Sequence, residues 1–345
     1  MRFIVPSGAS IVLGLALLVS ACSGPQDGAS GPFIRIQGAG ATFPAPLYSK
    51  WFRDYSGAHG NVQIDYQSVG SGSGVKNFIE KTVDFGASDA AMTPEEIAQV
   101  PQGVVLLPMT AGSIVLAYNL EGVPALKLSR ETYSGIFLGK ISRWNDPAIL
   151  ADNAGVALPD QPINVVVRAD SSGTTFVFTQ HLSAISPEFA ASPGTNKMPN
   201  WPAGTRSKGN EGVTASIMTT PGAIGYVEYG YATGTKLPMA SLENSSGNFV
   251  APSLASAQAA LATAVLPDDL VVWLPDPAGE GSYPIVSYTW LLCYKSYDDA
   301  GKSAALRDVI DYCLGQGQTE SESLGYIPLP ENVVVKVRAA GAAIS

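Results

Sequence analysis

The chain has 345 residues, with 29 Asp and Glu against 20 Lys and Arg, so its formal net charge is −9. Charged residues make up only 14% of it and hydrophobic residues 46%, which excludes an intrinsically disordered chain, and the acidic balance argues against a nucleic-acid partner. The sequence has no short repeat, so its length predicts one large or two ordinary globular domains.

The N-terminal residues predict a signal peptide followed by a lipid anchor. Arg2 precedes the short apolar run 11–18, and Cys22 comes directly after a small-residue triplet. The run is shorter than the roughly 20 apolar residues that span a membrane, so residues 1–21 are predicted to be a cleaved lipoprotein signal. Cys22 is then predicted to carry the lipid, and residues 22–32 to form a flexible tether. An ordinary signal peptide with an incidental Cys is the alternative.

Beyond the tether, the hydrophobic pattern alternates between strand-like and helix-like segments. The predicted strands are apolar or alternating runs, at 33–37, 62–66, 83–87, 104–109, 113–119, 163–168, 223–227 and 286–294. The predicted helices cover 44–55, 74–81, a segment starting at Thr93, 132–138, 174–182, 210–218, 253–264 and 304–314. The stretch 187–209 is rich in Pro, Gly, Ser and Asn and is predicted to be a loop. This alternation predicts an α/β protein with mainly parallel or mixed sheets, and the length suggests two such units.

Three predicted strand-to-helix junctions carry glycines and hydroxyls at the start of a helix. They lie at 38–46, where Thr42 precedes a helix start marked by proline, at 70–74, and at 168–175. Unpaired backbone N–H groups at the positive end of a helix dipole form an anion site without any formal charge. Arg168 adds a planar fork of donors that suits a tetrahedral oxyanion. The coincidence of three such junctions in one exported chain favours an anion-binding protein.

Each junction taken alone has a simpler interpretation. Residues 38–40 resemble the beginning of a dinucleotide fingerprint, although Phe43 occupies the third glycine position. Residues 70–74 are compatible with a flexible loop, and 171–175 with an ordinary N-cap. The sequence has no nucleophile elbow, Walker motif or Cys-x-x-Cys pair, and only two histidines. Nucleophilic hydrolase chemistry and a metal site are therefore poorly supported.

Asp89 stands at the carboxyl end of the predicted strand 83–87, where open α/β sheets bind ligands. A carboxylate beside an anion is unfavourable unless the ligand has a proton to donate. Phosphate keeps a proton at neutral pH and sulfate does not, so one carboxylate among donors discriminates between the two ions. A surface cap or a structural Asp is the alternative.

The two remaining cysteines lie in neighbouring elements, Cys293 in the predicted strand 286–294 and Cys313 in the predicted helix 304–314. Because an exported protein meets an oxidising compartment, a Cys293–Cys313 disulfide is predicted. Two small buried apolar side chains are the alternative.

Four motifs follow one another along the chain, at residues 38–48, 83–89, 168–174 and 221–229. They read Gly-Ala-Gly-Ala-Thr-Phe-Pro-Ala-Pro-Leu-Tyr, Val-Asp-Phe-Gly-Ala-Ser-Asp, Arg-Ala-Asp-Ser-Ser-Gly-Thr and Pro-Gly-Ala-Ile-Gly-Tyr-Val-Glu-Tyr. With these motifs the chain resembles the PstS family of periplasmic phosphate-binding proteins, which serve high-affinity ABC phosphate transporters. The resemblance extends from about residue 36 to residue 340, nearly all of the mature chain.

The resemblance implies a two-domain, Venus-flytrap fold, in which each domain is a mixed sheet flanked by helices and the ligand lies in the interdomain cleft. The predicted first domain is 33–111 plus 284–345, and the second is 112–283, with crossings near Ala111–Gly112 and Tyr283–Pro284. Asp170 is implied to restrain Arg168 and temper its charge. The implied phosphate ligands come from both domains: Thr42, Phe43, Ser71, Asp89, Arg168, Ser172, Gly173 and Thr174.

The implied function is not enzymatic. The protein is expected to capture inorganic phosphate in the periplasm or cell envelope and to deliver it to the permease subunits and ATPase of an ABC importer. No cofactor and no metal are expected. Two alternatives stay open: a phosphate-sensing or scavenging lipoprotein without a dedicated permease, and an exported phosphatase that uses the same cradle on phosphate esters. The phosphatase needs a nucleophile, metal or base, and the sequence offers none in a recognisable setting.

Overall fold

A computed structural model describes residues 1–4 and 32–345 of the chain. Cys22 and nearly all of the predicted signal peptide and tether therefore lie outside the described residues. The described part has the predicted α/β character. Its strands are β1 Ile34–Gly40, β2 Val62–Ser68, β3 Phe85–Ser88, β4 Val104–Asn119, β5 Lys127–Leu128, β6 Asn164–Arg168, β7 Thr205–Ser207, β8 Ala223–Glu228, β9 Ser241–Glu243, β10 Phe249–Val250 and β11 Val286–Tyr294.

In the described part of the sequence, the helices lie between these strands and after the last of them. They are α1 Ala45–Ala58, α2 Ser71–Ile79, α3 Pro94–Ile97, α4 Arg130–Phe137, α5 Pro147–Asp152, α6 Gly173–Ile185, α7 Pro187–Ala191, α8 Gly209–Thr219, α9 Tyr229–Gly234, α10 Leu254–Leu261, α11 Ala300–Leu314 and α12 Glu331–Ala342. Among the residues that the structure describes, no helix combines the length and the apolar character that a membrane span requires.

The main sheet has eight strands in the order β2-β1-β3-β11-β4-β8-β6-β7, and β10, β9 and β5 form a second, small sheet. The long strand β4 changes partner along its length. Its residues 104–113 pair with β11, and residues 114–119 pair with β8. We call the strands on the β11 side of β4 the first half-sheet and those on the β8 side the second half-sheet.

Strand directions bring the predicted junctions together. In the first half-sheet, β1, β2 and β3 are parallel to one another and antiparallel to β11. In the second half-sheet, β6 and β8 are parallel and run opposite to β4. As a result, the carboxyl ends of β1, β2 and β3 point towards the change of partner on β4 from one side, and those of β6 and β8 from the other. Because the loops at carboxyl ends hold the ligand in open α/β sheets, this arrangement predicts one shared site.

Aromatic side chains pack beside that site in both half-sheets. Helix α1 buries Tyr48, Trp51 and Phe52 on one face, at the three- and four-residue spacing of an amphipathic helix, and so anchors the junction after β1. On the other side, the Tyr226 ring stacks on Phe178 at a centroid distance of 4.5 Å.

Three predicted elements differ in the structure. The strands predicted at 104–109 and 113–119 are one strand, because Thr110–Gly112 also pair with β11, next to a shift in register between Thr289 and Trp290. Helix α2 begins at Ser71 rather than at Gly74, because the glycines at 72 and 74 continue the helix and Gly70 provides its N-cap with φ of 95°. The predicted loop 187–209 contains α7 and β7. The predicted division into two domains is compatible with the change of partner on β4 and remains a prediction.

Candidate functional site

The junction after β1 places Thr42 and Phe43 directly before α1. Both residues are buried, and their N–H groups have no carbonyl acceptor in a preceding helical turn. Gly40 allows this geometry, because a Cβ there would lie 2.0 Å from the Ala87 carbonyl oxygen on β3. The carbonyl of Thr42 accepts a 2.6 Å hydrogen bond from the Tyr231 hydroxyl, and the carbonyl of Phe43 accepts a 2.7 Å bond from the Tyr326 hydroxyl. The Thr42–Phe43 backbone is therefore held from outside α1.

Ser71 and Asp89 lie together at the ends of β2 and β3. Ser71 is the first residue of α2, and its Oγ accepts a 3.2 Å bond from the Asp89 N–H. Its hydroxyl proton therefore stays available for donation to a second group. Both residues are almost completely buried. The predicted surface-cap alternative for Asp89 is wrong, since its side chain has no solvent exposure.

The Asp89 carboxylate already accepts two hydroxyl donors. Thr289 on β11 donates to Oδ1 over 2.8 Å, and Thr174 on α6 makes a longer contact of 3.4 Å with Oδ2. Burial raises the pKa of Asp89 to about 7, and the Thr289 hydrogen bond, the Arg168 charge and the bonds from Thr174 and Ser71 only partly offset that effect. Burial thus works against the ionised form of this carboxyl when no ligand is bound.

Arg168, the last residue of β6, makes a two-pronged contact with Asp170. Its Nε donates to Oδ1 over 2.8 Å, and its Nη2 donates to Oδ2 over 2.6 Å. Burial acts to raise the pKa of Asp170, but the hydrogen bond and charge of Arg168 outweigh it and hold that pKa below its ordinary value. The remaining guanidinium nitrogen, Nη1, is buried and has no hydrogen-bond partner in the described part of the chain. The Asp170 pairing expected from the sequence is confirmed, and it leaves one cationic donor for another acceptor.

The start of α6 brings the second half-sheet into direct contact with the first. The Ser172 hydroxyl caps the helix by accepting the Thr175 N–H over 3.0 Å. A Cβ on Gly173 would lie 2.4 Å from the Ser71 Oγ and 2.7 Å from the Asp89 Cβ, so only glycine fits at this approach. The Thr174 hydroxyl contacts Asp89 as described above. The N-cap interpretation of 171–175 is therefore correct, and residues of this cap also lie in the candidate site.

The structure thus collects every predicted ligand residue at one buried place between the two half-sheets. The Thr174 hydroxyl contacts Asp89, and Gly173 lies against Ser71 and Asp89, so the two halves meet here, and every residue of the set is buried. Their role as ligands remains a prediction. The set contains Thr42, Phe43, Ser71, Asp89, Arg168, Ser172, Gly173 and Thr174.

Sequence reasoning missed three residues that complete this cluster. Asn210 donates from its backbone N–H and from Nδ2 to the Thr42 Oγ1, over 3.1 and 2.8 Å. Tyr231 and Thr289 contact Thr42 and Asp89 as given above. Asn210 follows β7 at the N-terminus of α8, a fourth strand-to-helix junction that the predicted loop at 187–209 concealed. Thr289 and Tyr231 carry no local signal, since each reaches its partner across about 200 residues of sequence.

The chemistry of the cluster suits a tetrahedral oxyanion that carries a proton. Hydroxyls, helix-start N–H groups and Arg168 Nη1 are donors, and the Asp89 carboxylate is the acceptor among them. The two histidines lie elsewhere: His181 is bonded to the Tyr133 hydroxyl and the Pro275 carbonyl, and His59 to the Tyr55 carbonyl. A serine nucleophile at position 71 would therefore have no imidazole base nearby.

The predicted disulfide is not formed. Cys293 and Cys313 are both free, fully buried thiols. Burial raises the pKa of Cys293 to about 12 and moves the pKa of Cys313 in the same direction, which disfavours the thiolates needed for oxidation. The alternative interpretation, two small buried apolar side chains, describes the structure.

Known phosphate-binding proteins are similar to this chain over most of its length. The profile of a family described as a PBP superfamily domain matches residues 23–316. The phosphate-binding protein PstS of Pasteurella multocida is 43% identical over 308 residues, which cover 88% of this chain and 89% of that protein. PstS of Methanocaldococcus jannaschii is 36% identical, with 94% and 92% of the two chains covered. A solved high-affinity periplasmic phosphate-binding protein with bound phosphate matches with a TM-score of 0.74 and 25% identity, covering 89% of this chain and 93% of that one.

Proposed function

The chain belongs to the PstS family of phosphate-binding proteins, and we propose that it binds inorganic phosphate outside the cytoplasm and delivers it to an ABC-type importer. The observation that carries the proposal is that two buried groups from opposite half-sheets lie in one cluster: Nη1 of Arg168, which has no hydrogen-bond partner among the described residues, and the carboxylate of Asp89. An anion with one remaining proton satisfies both groups at once, because it accepts from the guanidinium and donates to the carboxylate.

In this proposal the eight predicted residues divide the ligand between the two half-sheets. Thr42, Phe43, Ser71 and Asp89 hold it from the first, and the 168–174 junction holds it from the second. Asp170 acts on Arg168, whose charge it balances, so that the site holds its ligand mainly through hydrogen bonds. Because the charge of Arg168 is balanced and the donors are directional, the site favours selectivity for one anion over general attraction of anions. This suits an acidic protein that binds an anion.

The proposed domains are 33–111 plus 284–345 and 112–283, joined by two adjacent crossings. Support comes from the pairing of the crossing segments: the Ile114 N–H donates to the Ile285 carbonyl over 2.9 Å, at the place where β4 changes partner. Two neighbouring crossings allow the domains to rotate about one line. The cleft between them would open to admit phosphate and close around it, and the arrangement described here corresponds to the closed state.

The proposed partners are the transmembrane permease subunits and the ATPase of the importer, and the proposed location is the periplasm or cell envelope, with a lipid on Cys22 as the anchor. Relatives give the transport context. A structural neighbour from Clostridium perfringens, at 18% identity and a TM-score of 0.63, shares the fold and is described as a putative phosphate ABC transporter substrate-binding protein.

The function is tested by titrating the purified protein with phosphate and with sulfate, by calorimetry and by tryptophan fluorescence. Phosphate is expected to bind and sulfate to fail, and equal binding of the two ions would contradict the proposal. Loss of phosphate uptake in a deletion strain tests the importer role and separates it from sensing or scavenging. Release of a chromophore from a phosphate ester, abolished in Ser71→Ala, would instead establish a phosphatase.

A further inference from the structure

Thr42 is contacted from the second half-sheet by two side chains that the phosphate proposal does not use. Asn210 lies in the first turn of α8 and is buried, and Tyr231 lies in α9 and is partly exposed. Their hydrogen bonds to Thr42 join residues 168 and 189 positions apart. They therefore connect the two proposed domains at a residue that is itself predicted to touch the ligand.

The orientation of the Asn210 amide follows from its other partner. The Glu228 N–H can only donate, and it lies 3.0 Å from Oδ1 of Asn210. Oδ1 is therefore the acceptor, and the amide nitrogen Nδ2 must face the Thr42 Oγ1, as the 2.8 Å contact has it. The same nitrogen makes a longer contact, 3.4 Å, with the Thr174 hydroxyl.

This geometry fixes the direction of the Thr42 hydroxyl. A hydroxyl has one proton to donate and two lone pairs that accept. The backbone N–H and Nδ2–H of Asn210 occupy both lone pairs of the Thr42 Oγ1. The Thr42 proton is then the only part of the hydroxyl left for a third partner, so the group is a donor and cannot turn around to accept.

Tyr231 acts on the adjacent peptide. Its hydroxyl donates to the Thr42 carbonyl over 2.6 Å, and that carbonyl belongs to the same amide as the Phe43 N–H. A hydrogen bond to the carbonyl of an amide polarises it and strengthens the bond that its N–H donates. Tyr231 therefore favours donation by the Phe43 N–H, and it does so without touching the Thr42 hydroxyl.

We propose that Asn210 and Tyr231 are positioning residues that, on closure of the cleft, convert the Thr42 hydroxyl and the Phe43 N–H into fixed donors to bound phosphate. The inference rests on the proposed phosphate function. Since both contacts cross between the half-sheets, they break when the domains separate. The Thr42 hydroxyl and the Phe43 N–H therefore become fixed donors only when the cleft closes. An ion that offers no acceptor at these positions gains no hydrogen bond from closure.

The test is a pair of double-mutant cycles on phosphate affinity, measured by calorimetry on the full mature chain. Asn210→Ala and Tyr231→Phe are each combined with Thr42→Val, which removes the hydroxyl and keeps the peptide. Asn210→Ala alone should weaken phosphate binding about tenfold to a hundredfold, and should cost less than about threefold when Thr42 is already Val. Tyr231→Phe should weaken binding about threefold to tenfold in both backgrounds, because it acts through the carbonyl.

Thr214→Val is the matched control. It removes a buried hydroxyl on α8 whose only bond in the described structure is to the Asn210 carbonyl, and it should leave phosphate affinity within twofold of wild type. Thermal unfolding without ligand reports any folding defect separately, and the conservative Tyr231→Phe variant carries the test if Asn210→Ala does not fold.

The inference is overturned if the Asn210→Ala loss persists undiminished in the Thr42→Val background, or if Tyr231→Phe binds phosphate like wild type. A purely structural role would give that first result, because a local packing defect does not depend on the Thr42 hydroxyl. If wild-type protein fails to bind phosphate, the proposed function fails and the inference with it. Wild-type binding together with uncoupled variants rejects the inference alone.

Discussion

Thr289 donates a 2.8 Å hydrogen bond to Oδ1 of Asp89, from a strand 200 residues further along the chain. The bond forms at the point where the register between β11 and β4 shifts, between Thr289 and Trp290. One oxygen of the carboxylate is thereby held by Thr289, while the other is contacted by the hydroxyl of Thr174. The orientation of the Asp89 acceptor is thus fixed from both half-sheets.

The fixed acceptor predicts the selectivity of the site. Asp89→Asn is expected to reduce the preference for phosphate over sulfate by about tenfold to a hundredfold, because the amide no longer demands a proton from the ligand. Parallel calorimetric titrations with the two ions measure it. Asp65→Asn makes the same charge change at the partly exposed partner of Arg35 and should leave the preference intact. An unchanged preference in Asp89→Asn would falsify the acceptor role.

The same residue predicts a pH dependence of stability in the absence of ligand. Burial raises the pKa of Asp89 from 3.8 to about 7, so the folded protein binds more protons than the unfolded chain between those values. Its contribution to stability is therefore fully present at low pH and is lost as the pH rises through 7. The raised pKa corresponds to about 4 kcal/mol.

Urea unfolding of wild type and Asp89→Asn at several pH values checks this sign. Relative to wild type, the variant should gain stability as the pH rises from 4 to 8, because its amide does not ionise. A difference between the two proteins that stays constant with pH, or a variant that loses stability relative to wild type as the pH rises, would show that the folded carboxyl does not carry a raised pKa.

Arg168 is predicted to be irreplaceable by lysine. Two of its guanidinium nitrogens are committed to Asp170, and only the third, Nη1, is available to a ligand. An ammonium group lacks the planar fork and cannot serve both partners, so Arg168→Lys should weaken phosphate binding by at least about a hundredfold. Arg143→Lys, at an exposed pair with Asp160, is the control and should bind normally. Near-normal affinity in Arg168→Lys would reject the assigned role.

An ion pair between the two proposed domains is predicted to slow phosphate release. Lys197 lies 3.5 Å from Glu96, and the two residues fall in different proposed domains. The Lys197 carbonyl also accepts the Ser172 N–H over 2.9 Å, which ties the pair to the site. Glu96→Gln should raise the dissociation rate about twofold to fivefold, since partly exposed pairs contribute less than about 1 kcal/mol.

Glu96→Gln isolates the charge because glutamine can keep the capping box that Glu96 forms with Thr93. Stopped-flow tryptophan fluorescence measures the rate at low and at high salt, and the difference from wild type should shrink at high salt. Glu188→Gln, which removes a pair with Lys140 inside the second half-sheet's own elements, is the control. A release rate that is the same in Glu96→Gln and wild type would count against the pair.

The two buried thiols are predicted to be free and unreactive in the folded protein. Iodoacetamide at pH 8 should not label Cys293 or Cys313 in a Cys22→Ser chain, because burial raises the pKa of both thiols. After unfolding without reductant, mass spectrometry should find both labelled. Labelling that requires prior reduction would restore the disulfide that the sequence predicted.

The parts of the site that could be predicted from sequence are those whose function shows in neighbouring residues. Glycines that permit a tight turn, and hydroxyls at a helix start, are local patterns, so residues 38–43 and 168–174 are predictable from the sequence, whereas the role of Asp170 follows only from the family resemblance. The α/β class followed from the alternation of hydrophobic periods.

The residues that escaped prediction act across the fold. Thr289 in an apolar strand and Tyr231 in a short helix look like ordinary core positions until the chain brings Asp89 and Thr42 to them. The predicted disulfide is also absent, since two cysteines in successive elements and an oxidising compartment do not by themselves determine that a disulfide forms. Long-range geometry of this kind is decided by packing.

Strand β4 belongs to both half-sheets, and this continuity limits how the molecule can be divided. Cutting the chain at the proposed crossings would separate Gly112 and Ser113 from their partners Ser287 and Val286 and leave unpaired backbone groups at the end of each piece. Such edges invite pairing with other chains. Although the fold is described as two domains that move apart, its halves are therefore expected to unfold in one cooperative transition rather than to exist as separable modules.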